Sequence, residues 1–125
     1  MRVAIPVFEE RISPRFDFAP EFGLYDIEGQ KITGSREISC EGWGDIERVS
    51  KLKGFGVDTI ICGGLPGYLQ HILTNSGINV IPWIAGDVND ALSLFLRGQL
   101  NSGMVLCAGR SKRRRCKKIS WEKFQ

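Results

Sequence analysis

The side chains in this sequence with the clearest chemical potential are four cysteines. Cys40 lies in a glycine-rich stretch, which predicts an exposed thiol, whereas Cys62 ends an apolar run and is either a small core residue or a soft metal ligand. Cys107 and Cys116 flank a run of cations, which should lower the thiol pKa values and favour metal ligation or reactivity. Alternatively, they are incidental residues of a disordered segment. We treat all four as candidate metal ligands.

Signatures of an enzyme are scarce. No cysteines are spaced as C-x-x-C, which excludes a zinc ribbon and a thioredoxin-like motif. The single histidine, His71, falls on the polar side of a predicted helix, which favours a solvated side chain over a base or ligand. The first predicted strand carries no carboxylate before Glu9, although two-metal phosphoryl chemistry would need one. We therefore predict a binding protein and not an enzyme.

The stretch from Val57 to Leu73 could bind an anion. Its β-branched run up to Cys62 predicts a buried strand, Gly63-Gly64 break that strand, and Pro66 fits the first turn of a helix. Gly77 is placed to end this helix. A strand, a glycine turn and a helix N-terminus together present free backbone amides and the positive end of a dipole. The alternative is a tight turn that binds nothing.

A second segment, the loop at 9–20, should reach the same edge of the sheet. It contains two prolines, and its aromatic residues Phe16 and Phe18 are predicted to plug the edge of the core. A ligand there would meet amides from the glycine turn and the charge of Arg15. The predicted ligand-binding residues are Ser13, Arg15, Phe16, Gly63, Gly64, Leu65 and Gly67.

The pattern of elements predicts an α/β fold with a mixed five-stranded sheet and helices on its faces. We expect the strand that ends at Cys62 to be central, because it is the most continuously apolar. Asp45 is predicted to cap the first helix, whose apolar face would contain Ile46, and Pro6 to mark a strand end or a bulge. The predicted strands are 2–8, 21–27, 31–39, 57–62 and 78–81, and helices begin at 45, 65 and 87.

The composition is that of a soluble globular domain. The 125 residues are 42% hydrophobic and 25% charged, and no apolar run approaches the roughly 20 residues that span a bilayer. The first residues lack the features of a signal peptide. We therefore expect a cytoplasmic protein without a membrane partner, in which the cysteines are reduced.

Charge divides the chain into a domain at 1–106 and a basic, cysteine-containing tail at 107–125. Residues 1–109 contain 9 Lys/Arg and 13 Asp/Glu, a net charge of −4, whereas residues 110–125 contain 8 and 1, a net charge of +7. The end of the chain could be held against the domain by Ile119, Trp121 and Phe124. The basic segment would then be a mobile loop and not a fully free tail. The cations from Arg110 to Lys118 could instead bind nucleic acid, but the body is not basic and carries no readout motif.

Short motifs distributed over about residues 1–100 resemble the dinitrogenase iron-molybdenum cofactor biosynthesis family. The resemblance is carried by Ala4-Ile5-Pro6-Val7, Ile12-Ser13-Pro14-Arg15-Phe16, Ala19-Pro20, Gly63-Gly64, Gly77-Ile78, Val88 and Ala91-Leu92. It implies a three-layer α/β/α fold with a ribonuclease-H-like motif. It also implies a small carrier or chaperone for metal–sulfur clusters, including precursors of the nitrogenase cofactor.

The implied cargo is an anionic iron–sulfur or iron–molybdenum cluster, bound transiently and passed to a protein partner. A glycine-lined helix N-terminus with nearby thiols and arginines suits such a cargo. The basic segment with Cys107 and Cys116 would shield or deliver it. If Gly64 faces solvent, Gly64→Val should abolish binding with little loss of fold. Many relatives have histidines in the loop that matches residues 40–44, and this chain has none there.

Overall fold

The computed structural model describes residues 1–106, which form a mixed sheet with three helices. The strand order is four-three-one-five-six, with the second strand paired to the first. The first strand runs parallel to the fifth and antiparallel to the second and third. The elements are β1 (Arg2–Phe8), β2 (Arg11–Ile12), β3 (Glu21–Glu28), β4 (Lys31–Ser39), α1 (Asp45–Gly54), β5 (Thr59–Ile61), α2 (Gly67–Asn75), β6 (Asn79–Ile81) and α3 (Val88–Leu96).

The α/β class and all five predicted strands are confirmed, but the sheet has a sixth strand. The short β2 forms because the chain reverses at Glu9 and Glu10, whose φ angles are 50° and 69°. The strand that ends at Cys62 is internal and buried, as predicted, because β5 lies between β1 and β6. The middle strand of the sheet, however, is β1. The β3–β4 hairpin joins the sheet through β3, which pairs with the side of β1 that faces away from β5. As a result, β1 lies between the hairpin and the parallel strands β5 and β6.

Two hydrophobic cores lie on opposite faces of the sheet. In β1, Val3, Ile5 and Val7 contribute to one core, and Ala4 contributes to the other, as the alternation of a strand requires. Helices α1 and α2 pack over the Ala4 side, and α3 packs over the Val3 side. The clusters therefore define three layers: two helices, the sheet, and one helix.

Pro6 lies inside the middle strand, so the prediction that it marks a strand end or a bulge was wrong. It pairs with Phe22 of β3, and its carbonyl accepts a hydrogen bond from the Ser13 amide at 2.8 Å. The parallel ladder with β5 stops at Ala4, and pairing with β2 begins only at Val7. The missing N–H of Pro6 therefore faces the interruption between two ladders, where it disrupts neither.

Helix α1 differs from its predicted packing. Gly44 occupies the N-cap, and Asp45 is the first helical residue, so the predicted Asp45 cap is absent. Ile46 is 56% exposed, whereas Arg48 is only 5% exposed. Arg48 precedes Leu52 by four residues, which puts both on the face that packs against the core.

The other helix ends largely follow the sequence signals. Gly77 and Gly98 follow α2 and α3 with φ angles of +85° and +71°, as glycines that end helices commonly have. Asp87 is the N-cap of α3, although its side chain makes no capping hydrogen bond. Within residues 1–106, no helix combines the length and apolar character needed to cross a membrane.

Candidate binding site at the carboxyl edge of the sheet

The carboxyl ends of β1, β5 and β6 meet at one side of the sheet, which we call the carboxyl edge. Here the loop after β2 crosses the turn after β5. The Gly64 amide donates to the Pro14 carbonyl at 2.6 Å, and the Phe16 amide donates to the Gly64 carbonyl at 2.9 Å. These bonds confirm that the loop and the turn lie together. The crevice between strand ends, where open α/β sheets bind ligands, is therefore filled by the chain's own backbone.

Gly63 and Gly64 make this crossing possible. A Cβ atom on Gly63 would lie 2.5 Å from the Ser13 carbonyl oxygen, and one on Gly64 would lie 2.9 Å from the Pro14 carbonyl oxygen. Both glycines are buried. The condition set for Gly64→Val, a solvent-facing residue, is therefore not met, and that substitution should disrupt the fold as well as any site.

The N-terminus of α2 is the part of the turn that stays open. Pro66 is the N-cap, not a residue of the first turn as predicted, and its carbonyl accepts the amides of Leu69 and Gln70. The amides of Gly67 and Tyr68 have no helical partner, and both residues are exposed. The first turn of α2 contains no acidic residue. Two backbone donors thus face solvent at the positive end of the helix dipole.

The charged groups around this helix end are mutually paired. The Arg15 guanidinium donates to both carboxylate oxygens of Asp17, at 3.0 and 2.8 Å, and lies 5.0 Å from the Phe18 ring. The Tyr68 hydroxyl donates to a carboxylate oxygen of Asp45. That hydrogen bond raises the pKa of Tyr68. The charge of Arg15 is therefore partly neutralised by Asp17, and the backbone amides are the clearest donors to an anion.

Several predicted ligand-binding side chains lie inside the protein. Ser13 is 4% exposed, and its hydroxyl donates to the Arg15 carbonyl at 3.0 Å. Phe16 is fully buried against the Phe22 ring, and Leu65 is 6% exposed. Phe18, predicted with Phe16 to plug the core, is instead 72% exposed. Contact between a ligand and the seven predicted residues stays a prediction, with Gly67 and Arg15 the most accessible.

The prediction that Cys40 carries an exposed thiol was wrong. Its side chain is fully buried, because its amide donates to the Pro20 carbonyl and so extends the β3–β4 hairpin inward. The Cys40 thiol donates to the Ala19 carbonyl at 3.1 Å and accepts from Arg48 at 3.2 Å. Cys62 is also fully buried, as its apolar context predicted.

Burial keeps both of these thiols protonated. It raises the pKa of Cys62 to about 12, and it raises the pKa of Cys40 despite the opposing effect of Arg48. Metal ligation by either residue stays a prediction, and it would require deprotonation inside the core. In the part of the chain that the structure describes, no three His, Cys, Asp or Glu side chains are grouped to hold a metal ion. Cys107 and Cys116 lie outside that part.

Thiol labelling should reflect this burial. We expect Cys40 and Cys62 of the native protein to resist iodoacetamide at pH 8, where both remain protonated, and to react at least about a hundredfold faster in urea. Peptide mapping by mass spectrometry measures the label on each cysteine. Rapid labelling of Cys40 in native protein would contradict the buried position of its thiol.

Three residues of this edge were not singled out as site residues from the sequence. Arg48 donates to the Ala19 carbonyl at 2.9 Å and holds the loop from within. Tyr68 is exposed and Trp83 is half-buried, and Trp83 has a φ angle of 63°, which is rare for a bulky residue. The buried position of Arg48 could have been predicted from the sequence, because Arg48 precedes Leu52 by four residues and so lies on the same face of the helix. His71 is exposed, as predicted.

Comparisons with known proteins agree with this architecture. The sequence profile of the dinitrogenase iron-molybdenum cofactor family matches residues 1–98. An uncharacterised protein of Methanocaldococcus jannaschii is 25% identical over 105 residues, covering 80% of this chain and 89% of that one. This chain therefore belongs to the dinitrogenase iron-molybdenum cofactor family, as the sequence motifs indicated.

Solved structures share the fold. A Methanocaldococcus jannaschii protein provisionally described as a dinitrogenase superposes with a TM-score of 0.70 at 22% identity, covering 81% of this chain and 92% of that one. A Thermotoga protein provisionally described as a NifB protein superposes with a TM-score of 0.64 at 26% identity, covering 81% and 91%. The mixed sheet with its three helices is therefore shared with other proteins.

Proposed function

We propose that this protein is a carrier, without catalytic activity, for an anionic iron–sulfur or iron–molybdenum cluster. The proposal is supported by the open N-terminus of α2 at the carboxyl edge of a chain that belongs to this family. The amides of Gly67 and Tyr68 and the helix dipole favour negative charge there. Transient binding at an exposed helix end fits a protein that accepts a cluster and passes it to a protein partner in the cytoplasm.

The basic tail supplies the side-chain positive charge that the N-terminus of α2 lacks. Arg15 is paired with Asp17, so the cations of residues 110–118 are the larger source of positive charge for an anionic cargo. Cys40 and Cys62 are buried, and the other two candidate ligands, Cys107 and Cys116, lie outside the described residues. We propose that the tail shields or delivers the cluster, with its thiolates as ligands.

The proposal is tested by removing one amide without disturbing the helix. Gly67→Pro deletes the N–H of the first helical residue, where proline is favoured, and Pro66 already has the extended ψ of 143° that a following proline requires. We expect retention of a cluster assembled without oxygen from ferrous iron, sulfide and molybdate to fall about tenfold, because a hydrogen bond to a charged acceptor contributes roughly 1.5–3 kcal/mol. Metal analysis after gel filtration measures this retention.

Gly67→Ala is the matched control. It keeps the amide and adds a methyl group where nothing lies within 4 Å, so cluster retention should match that of the wild-type protein. Equal retention by the proline and alanine variants would exclude the Gly67 amide as a donor. Strong, salt-sensitive binding of duplex DNA without uptake of metal would instead support a nucleic-acid-binding module.

A further inference from the structure

Three large apolar or aromatic side chains are exposed at the carboxyl edge. Phe18, Ile46 and Tyr68 are 72%, 56% and 54% exposed, and they come from the loop after β2 and from the first turns of α1 and α2. Asp17 and Asp45 lie among them. We call these five residues the edge patch. Exposed aromatic side chains such as Phe18 and Tyr68 are typical of interaction sites.

Contacts hold four of the five side chains of the edge patch in place. The Tyr68–Asp45 hydrogen bond joins the N-terminal turns of α2 and α1. Arg15 joins the other half, because it bonds to Asp17 and lies over the Phe18 ring. Side chains that are ordered before binding lose less conformational entropy when a partner docks.

The charge around the edge patch favours a cationic partner. Residues 1–106 contain 9 Lys/Arg and 13 Asp/Glu, a net charge of −4. Exposed carboxylates of the carboxyl edge include Glu9, Glu10, Glu21, Glu41 and Asp87. A partner that combines cations with apolar side chains would match both the charge and the aromatic character of this surface.

The chain itself contains such a segment, and it starts at the carboxyl edge. The Leu106 amide donates to the Ala85 carbonyl at 2.8 Å, on the carboxyl edge, and Leu106 packs against Gly86. The 19 residues that follow contain 8 Lys/Arg, 1 Glu and the apolar residues Ile119, Trp121 and Phe124. Fully extended, they could span roughly 60 Å, so their length does not limit which part of the edge they reach.

We propose that the edge patch is the docking surface for residues 110–124 of the same chain. The cations of this segment pair with Asp45, Glu47 and the exposed carboxylates of the carboxyl edge. Its apolar side chains cover Phe18, Ile46 and the Tyr68 ring. This docking does not depend on a bound cluster, so it can be tested without metal. It places the sequence-distant basic segment against the N-terminus of α2.

Zero-length cross-linking of the full chain tests where the segment lies. A carbodiimide joins a lysine amine to a carboxylate only when the two are in contact, and a mixture of ¹⁴N and ¹⁵N chains separates links within one chain from links between two. We expect links within one chain from Lys112, Lys117 or Lys118 to Glu41, Asp45 or Glu47. Links mainly to Asp26, Glu28 or Asp58, at the opposite edge, or mainly between chains, would overturn the proposal, as would no link.

Trypsin cleavage after the basic residues gives a second measurement. In the full chain, Phe18→Ser combined with Ile46→Ser should speed cleavage in 110–118 about fivefold, because proteolysis follows the population of the undocked form. Ile32→Ser is the matched control, since Ile32 is 41% exposed on β4 at the opposite edge. Circular dichroism verifies that each variant is folded. Equal cleavage of the double variant and the control would overturn the proposal.

Discussion

Phe16→Ala should lower the free energy of unfolding by about 4 kcal/mol, a typical cost for deleting a buried phenylalanine. Phe16 is fully buried, and its ring meets the Phe22 ring edge-on at a centroid distance of 5.5 Å. The carbonyl of the same residue also accepts from Arg48. A cavity here would therefore loosen the loop that crosses the carboxyl edge. Urea denaturation followed by circular dichroism measures the change.

Phe18→Ala is the control, because it removes the same ring from the same loop. Phe18 is 72% exposed and contacts the Arg15 guanidinium, so its loss should cost less than about 1 kcal/mol. Similar destabilisation by the two variants would show that the loop is not anchored by Phe16. A change in the slope of the denaturation curve would indicate that a variant is no longer two-state.

Gly63→Ala should destabilise the protein by about 3 kcal/mol, near the upper end of what overpacking costs. The added methyl group would meet the Ser13 and Pro14 carbonyls, and backbone atoms cannot yield as a flexible side chain does. Relief of this clash requires the loop to leave the turn, which stretches the hydrogen bond from the Gly64 amide to Pro14. Thermal unfolding of the purified variant measures the loss.

Gly67→Ala again provides a matched comparison, four residues along the same turn. Its methyl group meets nothing within 4 Å, and alanine is the better helix former, so stability should stay equal or rise by about 0.5–1 kcal/mol. If Gly63→Ala were as stable as Gly67→Ala, the close crossing of loop and turn would be wrong.

The sequence predicted the elements well because periodicity and turn residues are local signals. The hairpin of β3 and β4, the helix that begins at residue 45 and the helix that ends before Gly98 all have such signals. The position of β1 in the middle of the sheet depends on which strands pair, and the local sequence of a single strand does not determine its partners. The turn before β2 could not be predicted either, because Glu9 and Glu10 adopt left-handed backbone conformations in which glycine would be expected.

The sequence predicted the location of the candidate site but not its detailed geometry. The sequence brought the loop and the turn to one edge, because the carboxyl ends of parallel strands must meet there. It could not show that Gly64 is buried or that Arg15 faces Asp17, since both depend on how the loop folds over the turn. Cys40 was misjudged because its glycine neighbours suggested a solvated loop, whereas its amide continues the hairpin.

The backbone crossing at Gly64 also affects how fast a bound ligand could be released and transferred. Because Pro14 and Phe16 bond to Gly64 across the strand ends, a ligand held by the Gly67 and Tyr68 amides would rest on the protein surface and not within a cleft. Its departure would require no separation of strands or helices. The rate of transfer would then be set by the approach of the acceptor and by the movement of side chains, which is far faster than local unfolding.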